Sequence, residues 1–252
     1  YAANDAITIL FGTNNNIKTG VAQTNGSFET TFAVDTQSFG TATIQATGAS
    51  SEMALRRFFV SPQVYSIIPA AGSVGTNVTI SGTGYAVAET ITIGFGTTAN
   101  IQTAATDIRG YFTTTFTVNT QKYGATVVKA TGVMSASAEG TFFIQPSVYY
   151  VSPLAGTVGR QVEIRGTGYS SFDNVSVDFG NTLTICTAAA NTSGWFKVFF
   201  TVDTQVFGST TIMAKGVVEN KAGAVFSILA DIPVVRPTAG SVGTVVTVEG
   251  TG

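Results

Sequence analysis

Apolar and polar residues alternate along most of this chain with a period of two, and no stretch carries the period of a helix. Val78 and Ile80 alternate with Thr79 and Ser81; Ile91, Ile93 and Phe95 recur two apart; Phe112, Phe116 and Val118 interleave with Thr113, Thr115 and Thr117. Period two puts successive side chains on opposite faces of a pleated strand, so each run predicts a half-buried β-strand. Thr126, Val128 and Ala130 face one way with Val127 and Lys129 facing the other, and a last run from Ala138 to Gln145 carries Phe142, Phe143 and Ile144. Glycines close the runs at Gly82, Gly84, Gly96, Gly124 and Gly132, and a polar stretch from Ile101 to Thr106 leads into Asp107-Ile108-Arg109-Gly110, the composition of a type I turn. About seven short strands at spacings of about 8 to 12 residues predict an antiparallel β-sandwich of immunoglobulin type.

The pattern repeats. Pro69-Ala-Ala-Gly-Ser-Val-Gly-Thr-Asn-Val-Thr-Ile-Ser-Gly-Thr-Gly84 returns as Pro153 to Gly168 and again as Pro237 to Gly252, each 84 residues on. Phe11-Gly12, Phe95-Gly96 and Phe179-Gly180 keep the same step, as do Asp35-Thr36-Gln37, Asn119-Thr120-Gln121 and Asp203-Thr204-Gln205. Loops ordinarily drift in length, so a frame without insertions implies that spacing matters. The expected organisation is a unit lacking its opening strands at residues 1–62, complete units at 63–146 and 147–230, and opening strands alone at 231–252. Those last strands would either start a following unit or be donated to a neighbouring subunit.

The run Ile68-Pro69, Gly72, Gly75-Thr76, Val78-Thr79-Ile80, Gly82-Thr83-Gly84-Tyr85 and Phe95-Gly96 resembles the IPT/TIG family of immunoglobulin-like domains. The continuation through Thr106-Asp107, Gly110, Phe112 and Ala130-Thr131-Gly132 is similar to the variant found in tandem on prokaryotic cell-surface proteins. The resemblance implies all-β tandem sandwiches and an extracellular, cell-surface stalk, adhesin, surface-layer or filament component. Some relatives bind DNA through basic loops, which this sequence lacks.

Composition agrees with a structural part. Charged residues are 10% of the chain with a net charge of -2, against about 25% in an ordinary soluble domain, so copies repel one another weakly. No basic patch suits nucleic acid, Arg56-Arg57 being an isolated pair, and no apolar run reaches the length of a membrane span. There is no histidine, which removes the usual general base and the commonest zinc ligand. Acids recur singly at Asp5, Glu89 and Asp173 and at the Asp35 position, as turn residues capping their own backbone rather than as a calcium cage. Gly82-Thr83-Gly84 precedes a strand, so it reads as a bulge or turn and not a phosphate loop. Cys186 aligns with Gln102 and Lys18, a position open to polar residues rather than a nucleophile's pocket. No enzyme, cofactor or metal is expected.

Phe39, Tyr123 and Phe207, each followed by glycine, are expected to plug the bottom of each core. The joins Ser61 to Pro69, Gln145 to Pro153 and Leu229 to Pro237 read as stiff connectors. Asn25, Asn77, Asn174 and Asn191 match the N-glycosylation pattern, with Asn25 and Asn191 in exposed turns.

The 252 residues equal 3 × 84, and the frame opens at Tyr1, the counterpart of Tyr85. Two readings follow: a window in a longer repeat chain, or a subunit whose segment at Pro237, Val242, Val246 and Val248 completes the first unit of the next copy by strand addition. A head-to-tail contact of that kind does not close and so builds a filament. The expected function is a rigid structural component of an extracellular filament, sheath or surface layer whose partner is itself. The alternative is the stalk of an adhesin whose binding domain lies elsewhere.

Overall fold

A computed structural model describes residues 1–134, 136–218 and 220–252, and all 22 regular elements among them are β-strands. The first repeat contributes β1 (Ala6–Phe11), β2 (Asn14–Val21), β3 (Gly40–Gly48) and β4 (Met53–Val60) in one sheet of order β2-β1-β3-β4. The middle repeat contributes β5 (Gln63–Ile68), β6 (Ala71–Gly72), β7 (Asn77–Thr83), β8 (Thr90–Phe95), β9 (Thr98–Ala105), β10 (Phe112–Thr117), β11 (Gly124–Gly132) and β12 (Ser137–Ile144). Its sheets run β10-β7-β5 and β6-β12-β11-β8-β9.

The third repeat reproduces the pattern with β13 (Ser147–Ser152), β14 (Ala155–Gly156), β15 (Gln161–Thr167), β16 (Asn174–Phe179), β17 (Thr182–Ala189), β18 (Phe196–Thr201), β19 (Gly208–Lys215) and β20 (Lys221–Ile228), in sheets β13-β15-β18 and β14-β20-β19-β16-β17. After it, β21 (Asp231–Arg236) and β22 (Thr247–Thr251) form a two-stranded sheet. The chain divides into two compact units, Tyr1–Pro69 with Asn77–Phe116 and Val127–Thr141, and Ala70–Thr76 with Thr117–Thr126 and Phe142–Gly252.

The third repeat shows why these residues make a sandwich. Val162 and Ile164 of β15, Phe196 and Phe200 of β18, Val175, Val177 and Phe179 of β16, and Ile212 and Ala214 of β19 share one core. All are the inward set of a period-two strand, and the outward set is mostly polar or charged, as Ser176, Asp178, Thr211, Lys197 and Glu163 show, with Phe199 the exposed exception on β18. The architecture is a tandem immunoglobulin-like antiparallel β-sandwich.

Three elements differ from the sequence expectation. The polar stretch before Asp107 lies in strand β9, which pairs along one side only with β8; an edge strand needs no apolar face, so hydropathy does not mark it. Ala71–Gly72 and Ala155–Gly156 are two-residue strands running parallel to β12 and β20. The joins, finally, are strands: two residues, Ser61-Pro62 and Gln145-Pro146, separate β4 from β5 and β12 from β13. Prolines at the strand edge mimic a connector in sequence because they interrupt no ladder there.

Candidate assembly interface

In the complete repeats the first-sheet contact is built the same way twice. In the third, β15 pairs antiparallel with β18 with Val162 opposite Phe200, Glu163 opposite Phe199, Ile164 opposite Val198, Arg165 opposite Lys197 and Gly166 opposite Phe196. Gly166 is glycine because the Phe196 ring lies over it, a Cβ there falling 2.2 Å from the ring. Tyr169 follows, stacked edge-on against Phe196 at 5.1 Å with its hydroxyl donating to the Ala214 carbonyl. In the middle repeat Ser81 Oγ donates to Thr113 Oγ1, Phe112 lies over Gly82, Tyr85 meets Phe112 at 5.4 Å, and the Tyr85 hydroxyl donates to Ala130. Burial pushes both tyrosine phenols well above their usual range.

The first repeat has only the half of this contact that β10 and β18 supply in the complete repeats. Tyr1 meets Phe28 edge-on at 5.3 Å and its hydroxyl donates to the Ala46 carbonyl. Residues 28–34, which align with β10 and β18, form no strand, since among the described residues no counterpart of β7 lies beside them. Phe28, Phe32 and Ile44 are only half-buried, whereas Phe112, Phe116 and Val128 are at most 5% exposed. Together with Tyr1, Ile9, Ala46 and Leu55 they line an open, mainly apolar groove of about 330 Å³.

The second unit carries the complementary half. In β22 and just before it, Val248 and Val246 are 56% and 49% exposed, against 0% for Ile80, Ile164, Val78 and Val162 at the same repeat positions. Val242 in the preceding turn is fully exposed, and Pro237 follows β21 directly. Gly250, the counterpart of Gly82 and Gly166, has no ring over it; a Cβ there would meet only the Asp231 carbonyl, at 3.5 Å.

The remaining residues singled out by sequence are structural. Asp5, Glu89 and Asp173 are nearly buried and reach farther than their own turns. Asp5 accepts from the Ala49 N–H, Glu89 from those of Ala86 and Met134, and Asp173 from that of Val217 and from Asn220 Nδ2. Expected as local caps, they clamp loops more than 40 residues away. Gln37 and Gln205 accept from the Thr13 and Asn181 N–H groups, holding the Phe-Gly turns, while Asp35 and Asp203 accept from the same glutamines. The repeated Asp-Thr-Gln triplet was the signal for this clamp, but a triplet does not reveal what it reaches.

Phe39, Tyr123 and Phe207 do not plug the cores. Phe207 is 63% exposed, Phe39 and Tyr123 stack edge-on against Phe59 and Phe143, and their N–H groups donate to the carbonyls of Tyr85 and Tyr169, the first residue of each following repeat frame. A ring beside glycine reads as core in sequence, yet here the backbone makes the contact.

Burial pushes the Cys186 thiol up to about 11, away from reactivity. Gly84 and Gly168, both at positive φ, lie against the Ser61 and Gln145 carbonyls, the turn role expected of the Gly-Thr-Gly element. Asn25, Asn77, Asn174 and Asn191 are all exposed. Asn25 Oδ1 accepts from Ser27 and Asn191 Oδ1 from the Ser193 and Trp195 N–H groups, an Asx turn in both cases.

No family model and no curated relative matches this sequence. Solved structures do. SGBP-B of the mixed-linkage glucan utilization locus of Bacteroides ovatus, in complex with a mixed-linkage heptasaccharide, is 11% identical over 92% of this chain and 62% of its own, with a TM-score of 0.30. The N-terminal eight Ig domains of Down syndrome cell adhesion molecule are 13% identical over 97% and 40%, TM-score 0.29. The Yersinia pseudotuberculosis adhesin InvE is 12% identical over 67% and 58%, TM-score 0.30. This chain spans less than two thirds of the length of each, and what it shares with them is the immunoglobulin-like sandwich.

Proposed function

We propose that this protein is a structural component of an extracellular, cell-surface filament or layer, built of IPT/TIG-type sandwiches and joined head to tail by strand complementation. The observation that carries the reading is the match of two open halves. The groove of Phe28, Phe32 and Ile44 lacks the strand that Val246, Val248 and Gly250 offer, in the frame that β7 and β15 occupy in closed repeats.

Seated by that frame, Val246 faces Phe32, Thr247 faces Thr31, Val248 faces Thr30, and Gly250 receives the Phe28 ring. Burying the exposed half of two valine side chains contributes about 1.5 to 3 kcal/mol before ordering costs. Ladder hydrogen bonds along residues 28–33 add direction, and with one groove and one hairpin per copy the contact is heterologous, growing as a filament wherever its rotation does not bring the row of copies back on itself. The sparse charge lets such polymers lie side by side, and exposed Asn25 and Asn191 are where glycans would stand clear of the joint.

Light scattering across a concentration series tests this. The full chain is expected to grow into oligomers, and a chain lacking Asp231–Gly252 to stay monomeric; equal size for both would overturn the proposal. If the same contact forms inside one longer repeat chain, the denatured polypeptide from native material will have a mass many times 26.0 kDa.

A further inference from the structure

The frame that places the hairpin in the groove also places two carboxylates against each other, and from this we infer that the joint between copies is acid-strengthened, a regulation resting on the strand-complementation reading above. Arg165 opposite Lys197 is the directly facing pair in the third repeat, and Ser81 opposite Thr113 is the same pair in the middle one. Moving each by whole repeats gives Glu249 on β22 opposite Glu29 in the groove segment, both on the exposed face of the new sheet.

The two closed contacts are neutral or attractive at this point. The serine and threonine hydroxyls bond to each other, and in the third repeat Glu163 takes both cations, Arg165 at 2.6 Å and Lys197 at 3.2 Å. The position equivalent to Glu163 is Thr247, so nothing there separates Glu29 from Glu249. Like charges directly opposed across a strand pair destabilise it.

The other groups facing this pair are few. On β21, Val234 lies opposite Glu249, and Arg236 lies opposite Thr247, one diagonal step away. On β2, Lys18 occupies the place from which Gln102 reaches the Thr115 carbonyl in the middle repeat, two residues from Glu29. Asp231 lies opposite Thr251, the other diagonal step from Glu249, and Arg56 on β4 lines the groove; Ser27, Thr31 and Thr251 complete the surround. Lys18, Arg56 and Arg236 are exposed and none directly opposes either carboxylate, Asp231 adds a further negative charge, and the two glutamates face each other directly, so repulsion is the larger effect.

The sign follows. In a separate copy, among the described residues, β22 pairs only with β21 and residues 28–34 pair with no strand, whereas the joint sets the two carboxylates directly opposite each other, so the joined state binds protons more readily than the separate state. Association tightens as pH falls through the carboxylate range, and at neutral pH it tightens as salt or divalent cations screen the pair.

The test is the concentration dependence of oligomer size for the full chain at about pH 7 and about pH 4, with E29Q, E249Q and E29K. The unmodified chain is expected to associate about two- to five-fold more tightly at the acid pH. E29Q and E249Q should each bring the neutral value close to the acid one, and E29K, which places a lysine opposite Glu249, should reverse the direction. Glu29 and Glu249 are exposed in the separate chain, so folding is unaffected by these changes. Association that responds to pH identically in all four chains would overturn the inference while leaving strand complementation standing. Absence of association at every pH would overturn both.

Discussion

The third repeat and the first are built from the same frame, yet one is closed and the other open. Phe196 is 1% exposed under Gly166; Phe28, 168 residues earlier (196 - 28) and equal in frame, is only partly covered. The second sheet of each survives the comparison: β1 pairs with β2 and β3 as β16 pairs with β17 and β19. What the opening strands supply is therefore the other sheet and the lid on the aromatic core. The closed contact sets a glycine beneath a ring with a valine and an isoleucine beside it, Gly166, Val162 and Ile164, whereas their counterparts Gly250, Val246 and Val248 have no ring over the glycine and stand exposed.

The largest effects are expected from a buried charge in the closed repeat and its counterpart in the hairpin. Ile164→Asp buries an unpaired carboxylate and costs about 3 to 5 kcal/mol, enough to unfold the third sandwich in thermal denaturation. Val248→Asp leaves the melting of a dilute chain unchanged but weakens association by about 100-fold or more, read by sedimentation. Loss of stability in Val248→Asp at high dilution would show that the hairpin is already part of a core.

Phenylalanine truncation separates the two repeats next. Phe196→Ala is expected to cost about 3 to 5 kcal/mol in denaturant unfolding, and Phe28→Ala markedly less in the dilute chain because the ring is already part exposed. Gly250→Ala follows, costing association about 1 to 3 kcal/mol by pushing the ring out of its place, while the chain itself has room for the methyl group. The smallest effect is at the tyrosines. Tyr169→Phe removes the hydroxyl that reaches Ala214 and should cost about 1 kcal/mol. Because the folded phenols of Tyr85 and Tyr169 titrate above their unfolded value of about 10, their contribution is complete below that pH and is lost above it. Alkaline unfolding monitored by phenolate absorbance checks the sign.

Much of this was legible in the residues. Val78-Thr79-Ile80, Ile91 to Phe95 and Thr126 to Ala130 named their strands because one face is buried and the other wet, and the 84-residue frame located every equivalent contact. Strand β9 was not marked, since an edge strand with both faces partly wet carries no alternation. Asp173 was read as a local cap because sequence shows a turn and not the loop that the fold brings to it. Phe39 and Tyr123 were misplaced because an aromatic before glycine looks the same whether its ring or its backbone N–H makes the contact. Val246 and Val248 were legible as apolar, but not that they stand exposed beside a two-stranded sheet of β21 and β22.

The proposed joint has a single register, with Thr247 of one copy facing Thr31 of the next. Cysteines at both positions, with Cys186→Ser, test it by oxidation followed by denaturing electrophoresis. A ladder at multiples of 26.0 kDa is expected that collapses on reduction and is absent when either cysteine is present alone. A single band at the monomer position under oxidising conditions, or a ladder that persists with one cysteine, would contradict it.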